Sequence, residues 1–237
     1  MRSKRNRNKV KVKQKKTSKH LYALILLVCL LLPFTSCGEV NIVASEQEIL
    51  AAAQTLIEKS VLWNEIFYID GMRPLQGGRS PSASYVEVDP SYLEEIGLYS
   101  VAEIKQYGAQ IFSPDMMSSF EQTLFGSLRS DTGALISSAA CMDYEERVTG
   151  VAMYTVVNTE ESPKNYKGTP YGEHVEYLYD TMTVTYNKNY AATVEITVRG
   201  TEEKNLGLTD TVTVQLQKVG GVWYLDNLTV TKIKRES

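Results

Sequence analysis

The chain has 237 residues, 43% of them hydrophobic and 22% charged, with a formal net charge of −3 and three cysteines. That is enough apolar material to bury a real core without covalent help, and it excludes a disulfide scaffold and a disordered polyampholyte. The small net charge hides a strong asymmetry, because ten of the 25 Lys and Arg lie in residues 1–19 and all 28 Asp and Glu lie after Cys37.

The basic stretch leads directly into an apolar run, Leu21 to Pro33, which ends in the small residues Thr35 and Ser36 before Cys37. A cationic segment, a short apolar core and a small-residue boundary make the three-part pattern of an export signal. The apolar core is about a dozen residues, against the roughly 20 that a spanning helix needs. Leu32-Pro-Phe-Thr-Ser-Cys37 resembles a bacterial lipoprotein box, with Phe34 where that box usually has Leu. The resemblance implies diacylglycerol on the Cys37 sulfur, cleavage just before it, and a chain held to the cell membrane on its extracytoplasmic face. Residues 1–36 are then a signal peptide, 37–44 a lipid-anchored linker and 45–233 the folded domain. The competing reading is an uncleaved signal anchor.

Without the leader, 15 basic residues face 28 acidic ones, a net charge of −13. Nucleic acid and other anionic surfaces repel such a domain, and cationic partners or metal ions are favoured. The bland reading is solubility alone. With Cys29 gone and Cys37 lipidated, Cys141 is the remaining thiol, so no internal disulfide can form.

In chain order, Ser45 with Glu48 reads as a capping box opening a helix with Ile49, Ala53, Leu56, Trp63 and Phe67 on one stripe, ending at Asp70-Gly71. Met72–Ser84, with Pro74, Gly77, Gly78 and Pro81, is a loop, and Tyr85–Val88 a short strand. Ser100 with Glu103 opens a second helix. Ser113 caps a third, with Pro114 at its first position and a stripe of Met117, Phe120, Leu124 and Leu128. From Ala134 the apolar period becomes two. The predicted strands are Ala134–Met142, Val148–Val157, Val175–Tyr186, Tyr190–Val198, Leu208–Val219 and Val222–Val230, with turns at Asn187-Lys-Asn189 and Gly220-Gly221. Trp223, following a tight turn in an apolar strand, should be buried against the helices. Glu160–His174 is a long polar loop.

Helices followed by an antiparallel meander make an α+β domain. The order resembles the cystatin-like and NTF2-like superfamily, which implies N-terminal helices packed on a curved antiparallel sheet; Val219-Gly-Gly-Val-Trp-Tyr-Leu225 is similar to its closing hairpin. More narrowly, the helix ending at Asp70-Gly71, the segment Ser100–Tyr107, the pair Phe112-Ser113 and the final hairpin are similar to secreted inhibitors of peptidoglycan DL-endopeptidases. That resemblance assigns no inhibitory residue.

Catalytic sets are poorly represented. His174 is the single histidine after Cys37 and sits in a polar loop, where it reads as solvated. Cys141 lies in an apolar strand, where it reads as an inert structural thiol. The spaced Cys and His that zinc would want are missing, and Asp143–Glu146 and Glu173–Asp180 lack the spacing of a calcium loop. Paired carboxylates for glycoside chemistry carry no signal among 28 candidates. The tyrosines, among them Tyr85, Tyr99, Tyr154 and Tyr177, suit sugar or peptide recognition, but strand filling is the preferred reading. The expectation is a non-enzymatic binding module with no metal or cofactor, contacting a basic extracytoplasmic protein such as a cell-wall hydrolase. Its contact element is the loop 159–176, with Glu160, Glu161 and Glu173 for charge and Tyr166 and Tyr171 for contact area. The alternative is an NTF2-like enzyme or small-ligand-binding protein with a pocket between helices and sheet.

Overall fold

A computed structural model describes residues 43–78, 85–129, 140–146, 150–156 and 172–234. The first helix, α1 (Glu46–Tyr68), starts where Ser45 predicts: Ser45 Oγ accepts the Glu48 N–H at 3.1 Å. The box is half made. The Glu48 carboxylate turns away from the helix start and accepts instead from Trp223 Nε1 (2.9 Å) and Lys218 Nζ (2.7 Å). The stripe Ile49, Ala53, Leu56, Ile57, Trp63, Ile66 and Phe67 is buried along the helix. At its end Ile69 N–H bonds the Asn64 carbonyl, and Gly71, at φ 83°, bonds the Glu65 carbonyl at 2.8 Å. This left-handed closure folds Asp70 back beside the last turn.

After strand β1 (Tyr85–Glu87) comes a helix that the sequence reading missed, α2 (Pro90–Ile96). Asp89 caps it by accepting the Ser91 N–H at 2.9 Å, Pro90 occupies its first turn, and Gly97 at φ 70° ends it. Helices α3 (Val101–Gly108) and α4 (Pro114–Thr123) open at Ser100 and Ser113, each of which accepts a backbone N–H in the first turn. The third predicted stripe overreaches. Helix α4 stops at Thr123, and Phe125–Arg129 becomes strand β2, since Gly126 disfavours helix and Phe125 favours strand.

The remaining strands are β3 (Cys141–Glu146), β4 (Gly150–Val156), β5 (Val175–Lys188), β6 (Ala191–Gly200), β7 (Thr209–Val219) and β8 (Val222–Leu225). Most of the predicted strand Ala134–Met142 lies outside the described residues, and β3 runs past Met142 to Glu146; the last predicted strand stops at Leu225 instead of Val230. The class is α+β. The strands do not form one curved antiparallel sheet, however; they divide between two four-stranded sheets, β1-β4-β3-β2 and β5-β6-β7-β8. The β2·β3 pair is parallel, with Phe125 opposite Cys141, and every other pair is antiparallel. Alternation along one strand cannot distinguish these arrangements, because the period of two is common to both.

The β7–β8 hairpin turns on Gly220 (φ 59°) and Gly221 (φ 87°), the positive-φ pair that a two-residue turn needs. Trp223 is buried at 7% exposure in the main core. The Trp63 ring lies 4.6 to 6.0 Å from the rings of Phe67, Phe112, Phe120 and Phe125. Four tilted or edge-on neighbours are the favoured aromatic arrangement, and together with Trp63 they form an aromatic cluster in the core. No helix among the described residues is long and apolar enough to cross a membrane.

Candidate functional site

The most chemically distinctive place in the described residues is where the end of α1 meets the segment leading into β5. Gly172 makes this junction possible. A Cβ there would lie inside van der Waals contact with Val230 Cγ2 and 3.2 Å from Ile69 Cγ1, and the Gly172 N–H reaches the Tyr68 carbonyl at 2.8 Å. The next residue locks the segment from the other side: the Glu173 N–H donates to the Thr231 carbonyl at 2.9 Å.

Glu173 was expected to present charge to a partner. It is buried at 3% exposure, and its Oε2 accepts from Asn205 Nδ2 (3.0 Å) and the Ile233 N–H (3.3 Å). A buried carboxylate with such donors is a fastener between segments and is withdrawn from contact with another protein. Glu160, Glu161, Tyr166 and Tyr171, the other residues proposed for contact, lie outside the described residues, as does Cys37.

His174 follows, half-buried between two carboxylates. Its Nδ1 lies 3.1 Å from Glu65 Oε1, and its Nε2 lies 3.2 Å from Asp70 Oδ2. Burial works against the charged imidazolium, but Glu65 and Asp70 together outweigh it, and the His174 pKa is raised above its ordinary value. Burial also raises the Glu65 pKa, with His174 opposing and Asp70 adding to the rise. The solvated histidine of the sequence reading is therefore the centre of an ion triad. The missed partners are Glu65 and Asp70. The only local sign was that both fall at the closing turn of one helix.

The triad borders a cleft of about 120 Å³ lined by Val61, Asn64, Glu65 and Ile69 of α1, with Glu173, His174, Val175, Tyr177, Thr201 and Val230 opposite. Its floor is polar. Thr229 Oγ1 lies 2.9 Å from Ser60 Oγ and accepts from Asn64 Nδ2 at 3.0 Å, while Tyr177 OH donates to the Thr229 carbonyl at 3.1 Å. One atom is left over. Asn64 is 2% exposed, yet its Oδ1 has no hydrogen-bond partner among the described residues. Leaving such an acceptor buried and unpaired costs about 1–3 kcal/mol.

The other candidates have structural places. Cys141 is fully buried. Asp143 sits at the start of α3, where both carboxylate oxygens face the Val101 N–H at 3.2 and 3.3 Å, a favourable place for negative charge. Tyr85 and Tyr154 are core filling, Tyr99 is exposed, and Tyr177 alone of these four lines the cleft. No protein-family model matches this sequence, and no curated protein matches it either.

Proposed function

We propose that this chain is a lipid-anchored binding module on the extracytoplasmic face of the cell membrane, one that acts by engaging a basic protein and not by catalysis. The observation that carries this reading is the net charge of −13 downstream of Cys37, behind a leader holding ten cations and no acid. Charge of that density steers a basic partner to the surface. An enzyme that must hold the anionic polymers of a cell wall needs a basic face, so a cell-wall hydrolase is the partner class that fits best.

The packing leaves little room for a pocket enzyme. Trp63 and its four phenylalanine neighbours form a closed aromatic cluster, and the cleft between α1 and β5 holds about 120 Å³, against the roughly 300–1,000 Å³ of a typical small-molecule site. In the same reading the β5–β8 sheet with α1 against it corresponds to the cystatin-like half of the domain, and the Gly220-Gly221 turn before Trp223 to its closing hairpin.

The test is capture and inhibition. Residues 38–237, immobilised and exposed to envelope extract, should retain a basic wall hydrolase and slow its digestion of purified peptidoglycan. Glu160→Lys with Glu161→Lys should slow association and flatten its salt dependence, with the circular dichroism spectrum unchanged. Turnover of a small molecule with no protein captured would overturn the proposal.

A further inference from the structure

We propose that Glu65, Asp70 and His174 form a binding site for a borderline divalent metal ion, of which Zn²⁺ is the practical probe, at the mouth of the α1–β5 cleft. The inference does not depend on the binding-module reading above.

The donor set comes first. One imidazole nitrogen and two carboxylate oxygens lie within 4.8 Å of one another. An ion with bonds of about 2.0–2.2 Å holds tetrahedral ligands roughly 3.3–3.6 Å apart. One His174 nitrogen serves as ligand: Nδ1 is 3.1 Å from Glu65 Oε1, whereas Asp70 Oδ2 faces the other nitrogen, Nε2, at 3.2 Å, so Asp70 must swing round the ring edge to complete the set. It is free to do so, since its side chain is 71% exposed beyond the last turn of α1. The other two ligands are on fixed ground. Glu65 belongs to α1, and His174 is anchored by the close approach of Gly172 and the buried bonds of Glu173. Ligands borne on pre-positioned backbone bind without much ordering loss.

The second observation is independent of the charges. Asn64 neighbours Glu65 on the cleft wall, is buried to 2% exposure, and keeps an Oδ1 with no donor among the described residues. Three protein ligands leave a coordination position for water, and a metal-bound water in the cleft supplies the O–H that this oxygen lacks. Ligand chemistry then selects the ion. Two carboxylates balance a 2+ charge, and the imidazole favours zinc-like ions over calcium or magnesium, which prefer oxygen.

The experiment is isothermal titration of ZnCl₂ into the untagged full chain in detergent, repeated in millimolar MgCl₂ and CaCl₂. One ion per chain should bind, undisturbed by Mg²⁺ or Ca²⁺. Asp70→Asn and His174→Ala should each weaken binding about tenfold or more, while Glu94→Gln, an acidic change elsewhere, should leave it unchanged. Should His174→Ala fail to fold by circular dichroism, the exposed Asp70→Asn variant decides. Absence of saturable Zn²⁺ uptake overturns the proposal. So does uptake of equal affinity in Asp70→Asn, which would place the ion at His20, Cys29, Cys37 or a diffuse acidic surface. Equal competition by Ca²⁺ overturns the assignment of a borderline ion.

Discussion

Gly108 ends α3 directly against the Trp63 indole, and Gly108→Ala sets two known effects against each other. Alanine favours helix over glycine by up to about 1 kcal/mol, less at the last helical residue. The added Cβ, however, would lie 2.8 Å from Trp63 Cη2, closer still to its Cζ3, and 3.0 Å from Met117 Sδ. Trp63 cannot yield easily, because four phenylalanine rings surround it at centroid distances up to 6.0 Å. Overpacking a core costs about 1–3 kcal/mol, and a caged ring puts this site in the upper half of that range. The steric term wins, and the variant should be less stable by about 1–2 kcal/mol. In a domain of this size that corresponds to a fall of roughly 2–8 °C in Tm. Urea unfolding followed by tryptophan fluorescence measures it as a lower midpoint at unchanged slope. The control is the same substitution in a Trp63→Phe background. Phenylalanine removes both clashing ring atoms, so there Gly108→Ala should be neutral or slightly stabilising. An equal cost in the two backgrounds, or a more stable single variant, would refute the packing argument.

Trp223→Ala should destabilise by about 3–5 kcal/mol in the same assay, as a large side chain at 7% exposure leaves the core; a change too small to resolve would mean that the ring is a surface anchor. Glu48→Gln tests the link between the start of α1 and the last hairpin. Hydrogen bonds from Lys218 and then Trp223 hold the Glu48 pKa below the usual 4.5. A depressed folded-state value stabilises above pH 4.5, and that contribution is lost as pH falls through the folded pKa. The gap in urea midpoint between wild type and Glu48→Gln should therefore be full at pH 7 and narrow as the pH is taken below 4.5; a gap independent of pH would break the link. Cys37→Ser should abolish incorporation of a fatty-acid probe and leave the leader uncleaved, whereas unchanged labelling would remove the lipid anchor.

What the sequence disclosed follows from the range of each interaction. Helix starts at Ser45, Ser100 and Ser113 and the turn at Gly220-Gly221 are fixed by atoms a few residues apart, so their signals are local and legible. The same grammar was available for α2, in Asp89, Pro90 and Gly97, but its seven residues are too few to show a helical stripe. Partner choice is another matter. Glu48 satisfies the capping-box pattern, yet its carboxylate goes to Lys218 and Trp223, where the cation and the indole N–H compete successfully with a backbone donor. Glu173 reads as surface by residue type, and only the folded chain brings Asn205 and the Ile233 N–H to it. The candidate site depends on both kinds of information. The glycine closure of α1 sets Glu65 and Asp70 side by side through local bonds. His174 reaches them only because a side-chain-free Gly172 passes Val230 and because the Glu173 carboxylate is buried in the fold. One of the three residues expected to supply recognition charge is thus the one that seats the histidine.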